Sequence, residues 1–467
     1  MSSFDSRVSA LRQALAVNKS FDLLERPVRF AGRRAMFTLI DGFVKDELFE
    51  KIMEFFYSLK QDDPCFVDEQ AFLDLAVPYC EAALEQDESK VVTAVLAGQT
   101  ALLIEGFAQY VLLDIRTYPQ RDTAEPEKDK VFRGSHDGFV ETMVLNCALI
   151  RRRIRSPHLR MEAFTLGAAS KTDVVLCYMA DRADDALLKK LRDRLTRDGQ
   201  QVDALTMNSE SLAELLLPHK WYNPFPRFKY TERPDAAAAQ VLEGDVVLLV
   251  DNSPAAMTLP TSIFDIMEEA NDYYFPPLTG SYLRLTRFLV LLLMLLVTPL
   301  WLLVNQNPAW LPEGLAFLIP SEPPAVPLFW QLIILELGID GLKLATLNTP
   351  SMLTTSLSVI AGIVVGDFAV KSGWFSSEAM LYMAFVALGG FNQPSFELGY
   401  AMKFMRMGLL ILTVTLNVWG FLLGLLAILV ILLSCKTFSG HSYLYPLIPF
   451  NGKLLMKKLF RPSVRRQ

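Results

Sequence analysis

The sequence predicts an α/β N-terminal soluble region of two small α/β subdomains, joined to a C-terminal α-helical transmembrane bundle. Three observations predict it. Charged side chains are dense up to about Arg287 and sparse from there to a basic tail that starts near Lys453, so the two parts of the chain face different solvents. Strand patterns alternate with amphipathic helix patterns before residue 280. After Arg287 come uncharged runs near or above the ~20 residues that cross a bilayer core.

The 467 residues are 52% hydrophobic with positive mean hydropathy, above the roughly 45–50% apolar of soluble domains. A net charge of -6 and a pI near 5.5 give no global basic field, so nucleic acid is not an expected partner. Cys65, Cys80, Cys147, Cys177 and Cys435 are scattered and lack C-x-x-C spacing, which argues against a disulfide framework or a zinc site and for a reducing compartment. The N-terminus has no positive flank followed by an apolar segment, so no signal peptide is expected and the soluble half is expected in the cytoplasm.

In chain order, MFTLIDGFV (36–44) reads as a buried strand and KDELFEKIMEFFYSL as the helix after it. TALLIEG and QYVLLDI read as two strands around Gly106, and the polar stretch 118–130 as a boundary. TDVVLCYMA (172–180) is a strand, DDALLKKLRDRLTRDG an amphipathic helix, QVDALTM a strand, and SESLAELLL a helix with a Ser/Glu capping-box pattern. Pro234 opens a further helix, and DVVLLVDNS (245–253) is another buried strand. The expected organisation is an arm at 1–30, subdomains at 31–128 and 129–280, a transmembrane domain of four to six helical segments at 281–440, and a basic cytoplasmic tail at 441–467.

In the membrane half, about 25 uncharged residues follow Arg287, about 23 follow Lys343, about 18 follow Glu378 and about 29 follow Arg406. The segment 326–343 is apolar but carries Glu336, Asp340 and Lys343, and is expected to be re-entrant or interfacial. Arg284 and Arg287 at one end and the basic tail at the other place both termini in the cytoplasm, which requires an even number of crossings. Four crossings leave Lys403 and Arg406 outside; six need 326–343 to cross and one further break.

Enzyme signatures are absent: the chain has no phosphate-binding G-x-x-x-x-G-K-[ST] loop, no G-x-G-x-x-G, no H-E-x-x-H and no G-x-S-x-G. No two of its four histidines are spaced at i, i+3 or i+4, so neither catalysis nor a metal or other cofactor is expected. The cluster Arg151, Arg152, Arg153 and Arg155 either grips lipid headgroups, a phosphate or a neighbouring subunit, or forms a solvated helix end. Ser351, Thr355, Ser358, Gly362 and Gly366 share one helix face, which either packs on another helix or lines a narrow wet path. Glu336, Asp340, Asp367 and Glu397 are acids at or near membrane depth and read by default as an ion route.

The strings RGSHDGFVETMVLNCALIRRRIRSPHLRMEAFTLGAASKTDVVLCYMADRAD, GDVVLLVDNSPAAMTLPTSIFD and NQPSFELGYAMKFMR resemble the A subunits of bacterial spore germinant receptors, the GerA family, over nearly the whole chain from about residue 30. YPLIPFN followed by RPS points to the stage V sporulation AF branch. The resemblance implies an endospore-forming bacterium, the inner spore membrane, a role in germination, and ring-like self-assembly around an ion path. On it rests the expected function: an oligomeric ion channel or channel subunit that releases cations, its partners being membrane lipid, further copies of itself and another small membrane subunit. A membrane-anchored receptor or scaffold subunit and a secondary transporter are the alternatives.

Overall fold

The computed structural model describes residues 3–15, 17, 23–41, 43–77, 80–117, 122–126, 129–199, 202–203, 208–217, 223–320, 325–348 and 369–461. The chain divides into two compact units, Met1–Arg121 and Asp122–Gln467.

In the first unit, α1 (Ser3–Leu15) precedes a hairpin of β1 (Leu23–Phe30) and β2 (Arg33–Ile40). There follow α2 (Asp46–Ser58), α3 (Glu69–Ala76), β3 (Glu81–Glu85), α4 (Glu88–Leu96), β4 (Thr100–Ile104) and β5 (Tyr110–Asp114). The strands lie in the order β1-β2-β4-β5-β3. Side chains of a strand alternate between faces, and here both faces are covered. Phe37, Leu102, Ile104, Val111 and Leu113 pack with Phe56 of α2 and Phe72 of α3, while Ala101, Leu103, Tyr110 and Leu112 pack with Leu11 of α1 and Val91 of α4.

The second unit repeats this plan. The order is α5 (Met143–Arg153), β6 (Leu159–Leu166), β7 (Thr172–Met179), α6 (Asp185–Asp198), α7 (Ser209–Leu216), β8 (Lys229–Thr231), α8 (Pro234–Glu243), β9 (Val246–Val250) and β10 (Ala256–Leu259). Its sheet runs β6-β7-β9-β10-β8, so the two sheets share one topology: helix, hairpin, two helices, edge strand, helix, two strands. Leu176, Leu248 and Val250 face Leu191 of α6 and Leu212 of α7; Val175, Cys177, Val247 and Leu249 face Ile150 of α5 and Val241 of α8. The continuous apolar runs are explained by these two covered faces, although every pairing found among the described strands is antiparallel.

Two local readings are corrected. The capping box expected in SESLAELLL does not start α7, which begins after Asn208 without a side-chain cap; Ser209 Oγ bonds Ser253 Oγ at 2.6 Å. A capping box closes Ser262 on Asp265 in α9 (Ile263–Ile266). The expected strand QVDALTM lies largely outside the described residues.

After α10 (Asn271–Tyr274) come α11 (Pro277–Gln306), α12 (Leu328–Asn348), α13 (Ser377–Phe391), α14 (Phe396–Ser434) and the short α15 (Gly452–Leu459). Among the described residues α11 and α14 are long and apolar enough to cross a membrane. Segment 326–343, expected to be re-entrant or interfacial, falls from Leu328 onward in α12, a continuous helix of 21 residues.

The single long last span is corrected. Asn417 has φ 55 and ψ -130, which no helix tolerates, and α14 is two helical segments, 396–416 and 418–434. They fold back on each other. A β-carbon at Gly420 would collide with the Leu412 carbonyl oxygen, and one at Gly424 would touch the Leu409 side chain. In a straight helix residues 409 and 424 would stand ~22 Å apart. At the bend, Asn417 and Asn307 exchange amide hydrogen bonds of 2.6 and 3.2 Å.

Candidate functional site: buried charges in the helical bundle

Glu336 and Asp340 are four residues apart on α12, so they share a face. Lys403 and Arg406, three apart on α14, meet them. Arg406 Nη2 donates to Glu336 Oε2 at 2.6 Å, and its Nη1 donates to the Met294 carbonyl of α11 at 2.9 Å. Lys403 Nζ is ion-paired with Asp340 and lies 3.7 Å from Glu336 Oε1. Arg406 is 2% and Glu336 6% exposed, deep enough that neither charge is solvated by water. Charges so buried persist only when paired and hydrogen-bonded.

Of the predicted ion-route acids, Glu336 and Asp340 come together. Glu397 stands apart, in the first turn of α14, lining a 330 Å³ cavity with Asp129, Thr231, Glu269 and Gln393. Asp367 and the predicted stripe Ser351, Thr355, Ser358, Gly362 and Gly366 lie outside the described residues. Lys403 and Arg406, which a four-crossing reading leaves outside, are the counter-charges of this network. The signal was present as two acids at helical spacing in LELGID and two bases at helical spacing in KFMR.

The arginine cluster closes the last turn of α5. Arg153 donates to both Asp137 carboxylate oxygens at 2.6 and 2.7 Å and to Ser135 Oγ at 2.9 Å. Arg151 donates to the Ser156 and Leu159 carbonyls, and Arg155 to the Arg152 carbonyl. Arg151, Arg152 and Arg155 are exposed.

A second buried network was missed. Arg284 and Arg287, read as flanking charges that fix orientation, are 1% and 4% exposed. Arg284 Nε donates to Asp272 Oδ2 at 3.0 Å and its Nη2 stands 2.9 Å from Glu268, while Arg287 is paired with the other oxygen of Asp272. Lys458 of α15 reaches Asp265 at 2.6 Å and Glu268 at 3.1 Å. The network thus joins the α/β layer, the first turns of α11 and the C-terminal helix. Burial pushes the Glu268 carboxyl up, but Lys458, Arg284 and Lys229 outweigh it and hold it at about 2. Burial lowers the Lys458 ammonium, yet Asp265 and Glu268 hold it well above its ordinary value. The half-buried Asp245 nearby is pushed up to about 8 by burial, with Asp265 adding to the effect. The acidic run Glu268, Glu269, Asp272 just before Arg284 was the sequence signal.

Two α/β units of one topology, followed by a bundle with buried ion pairs between its helices, define a membrane protein with a helical domain and an α/β headpiece. The family model described as Bacillus/Clostridium GerA spore germination protein matches residues 10–467, and the chain belongs to this family. Stage V sporulation protein AF of Bacillus subtilis (strain 168) is 39% identical over 369 residues, 79% of this chain and 74% of that one. Spore germination protein A1 of the same organism is 27% identical over 428 residues, 91% and 87% of the two chains. Among solved structures, the N-terminal domain of the A subunit of the Bacillus megaterium spore germinant receptor GerK3 matches at 21% identity and a TM-score of 0.22, covering 54% of this chain and 92% of that one.

Proposed function

We propose that this germination protein is an ion channel, or a channel subunit, that releases cations across the inner spore membrane as a homo-oligomer, together with another small membrane subunit. The observation that carries the reading is the network of Glu336, Asp340, Lys403 and Arg406 between α12 and α14. Ionisable groups at membrane depth are costly and mark ion paths by default, and opening these pairs would free the carboxylates to face a path. The outer faces of α11, α13 and α14 carry exposed Leu289, Leu381 and Leu422, as contact with lipid or a neighbouring copy requires.

The proposal includes a multi-pass topology with both termini cytoplasmic. Two contacts support it: Trp301, Leu332, Met383 and Leu410 form one cluster between the helices, and the Ile263 amide donates to the Tyr443 carbonyl at 3.1 Å after the α14 hairpin. The 31–128 and 129–280 subdomains then act as assembly platform and gate transmitter, and the face of Ser351, Thr355, Ser358, Gly362 and Gly366, with Asp367 and Glu397 toward its mouths, is the proposed pore lining.

The test is potassium release from germinating spores carrying Gly362→Trp or Glu336→Gln, with protein in the spore membrane checked by immunoblot. Altered release with protein present is the expected result. Normal release with protein present removes the channel reading and favours a receptor or scaffold subunit.

A further inference from the structure

We propose that Lys343 and the edge of Arg406 form a binding site for the phosphate of an anionic lipid, between the inner ends of α12, α13 and α14. The inference begins with charge counting. Among the described residues the bundle site holds three cations, Lys343, Lys403 and Arg406, against two acids, Glu336 and Asp340, and both acids are already taken by Lys403 and Arg406. Lys343 has no acidic partner among the described residues; its Nζ faces the rings of Phe391 and Tyr400 at 4.8 and 5.8 Å from their centroids. Arg406 Nε is buried with no hydrogen-bond partner. One half-buried positive charge and one buried N–H donor are therefore left for a group outside this set.

The shape of the site chooses the group. A 30 Å³ cavity lies among Lys343, Lys403, Arg406, Tyr400, Gly390 and Glu336, whose carboxylate is taken up by Arg406 and Lys403; it has room for about one water-sized group, so a phosphate oxygen enters and the rest of the molecule stays outside. Gly390 lies against Lys343: a β-carbon there would stand in ordinary contact, 3.8 Å from its Nζ. The rim is apolar and exposed, with Phe391, Phe396 and Phe404 between 52% and 62% accessible, a surface for acyl chains. Phe391 and Phe396 also line the cavity under strand β8, so the site opens toward the α/β end of the bundle, from which an inner-leaflet headgroup would reach down to Lys343 and Arg406. Basic pockets between helices at that depth suit anionic headgroups. The site does not depend on whether the chain conducts ions.

The full chain, purified in detergent, is titrated with phosphatidylglycerol, with phosphatidylcholine of the same acyl chains, and with inorganic phosphate, and its melting temperature is followed. Phosphatidylglycerol alone is expected to raise the melting temperature, and Lys343→Gln to weaken that response about fivefold, the factor for one lysine near an anionic surface. Three results overturn the proposal: an unchanged response in Lys343→Gln, an equal response to inorganic phosphate, which means a soluble-anion site, or no response to phosphatidylglycerol, which means the charge is balanced within the protein. Should Lys343→Gln not fold, native mass spectrometry of the unmutated chain in an equal mixture of the two lipids decides, with preferential retention of phosphatidylglycerol expected and equal retention overturning the site.

Discussion

Arg406 and Glu336 are joined at 2.6 Å while the same guanidinium holds the Met294 carbonyl at 2.9 Å, so one side chain ties α14 to both α12 and α11. Breaking a buried pair by removing one partner costs about 3–5 kcal/mol, because the survivor is left charged and unpaired. Arg406→Ala is therefore expected to lower the melting temperature of the detergent-purified protein sharply, and Glu336→Ala to do so too. The double variant should lose less than the sum, since neither charge is stranded. A double-mutant cycle checks this; strict additivity would show that the two side chains are not coupled.

The network at the base of the bundle predicts acid sensitivity. Glu268 sits at about 2 in the folded chain, below its ordinary 4.5. A depressed carboxylate stabilises the fold above its unfolded pKa, and that stabilisation is lost as pH falls from 4.5 towards 2. Glu268→Gln should lower the melting temperature at pH 7 and matter progressively less below pH 4.5. A gap between variant and parent that stays constant from pH 7 to pH 3 would count against the pairing with Lys458 and Arg284.

Asp245 has the opposite sign. Its carboxyl is raised from 3.8 to about 8, so the folded chain holds this proton more tightly than the unfolded one. The resulting contribution to stability is full below pH 3.8 and disappears as pH rises to 8. Asp245→Asn should raise the melting temperature at pH 8 and leave it nearly unchanged at pH 4, where the native carboxyl is already neutral. Melting curves at the two pH values test it, and a variant less stable at pH 8 would refute the assignment.

How much of this was legible in the chain depends on the kind of signal. The central strands could be read from TALLI and VVLLV because burial on both faces writes itself as an unbroken apolar run. The shared topology of the two sheets could not, because the cores are filled differently: Phe30, Phe37, Phe56, Phe66 and Phe72 in the first, Leu187, Leu188, Leu191 and Leu195 in the second. Alternation of faces is conserved by the fold without any residue repeating. In the bundle, Glu336 and Asp340 were recognisable as functional candidates, but their partners were not, since pairing between helices depends on which faces meet. The same limit hid the inward turn of Arg284 and Arg287, because a count of flanking charges does not ask whether a carboxylate such as Asp272 awaits them.

The hairpin in α14 left the faintest signal and gives the sharpest test. Between Arg406 and Lys436 no charge or proline interrupts the apolar pattern, so a single long helix was the simplest reading; Asn417 and the glycines at 420 and 424 were the clues. Gly420→Leu should prevent accumulation of the protein, because the side chain would meet the Leu412 carbonyl. Gly408→Ala should be tolerated or stabilising, since nothing lies within 4 Å of a β-carbon there and glycine inside a helix costs about 1 kcal/mol relative to alanine. The direct measurement is a pair of cysteines, Leu409→Cys with Gly424→Cys, treated with a short bifunctional thiol reagent. In the hairpin the two positions touch and cross-link within one chain; in a continuous helix they stand ~22 Å apart and do not. Absence of the link in protein that has reached the membrane would restore the single span.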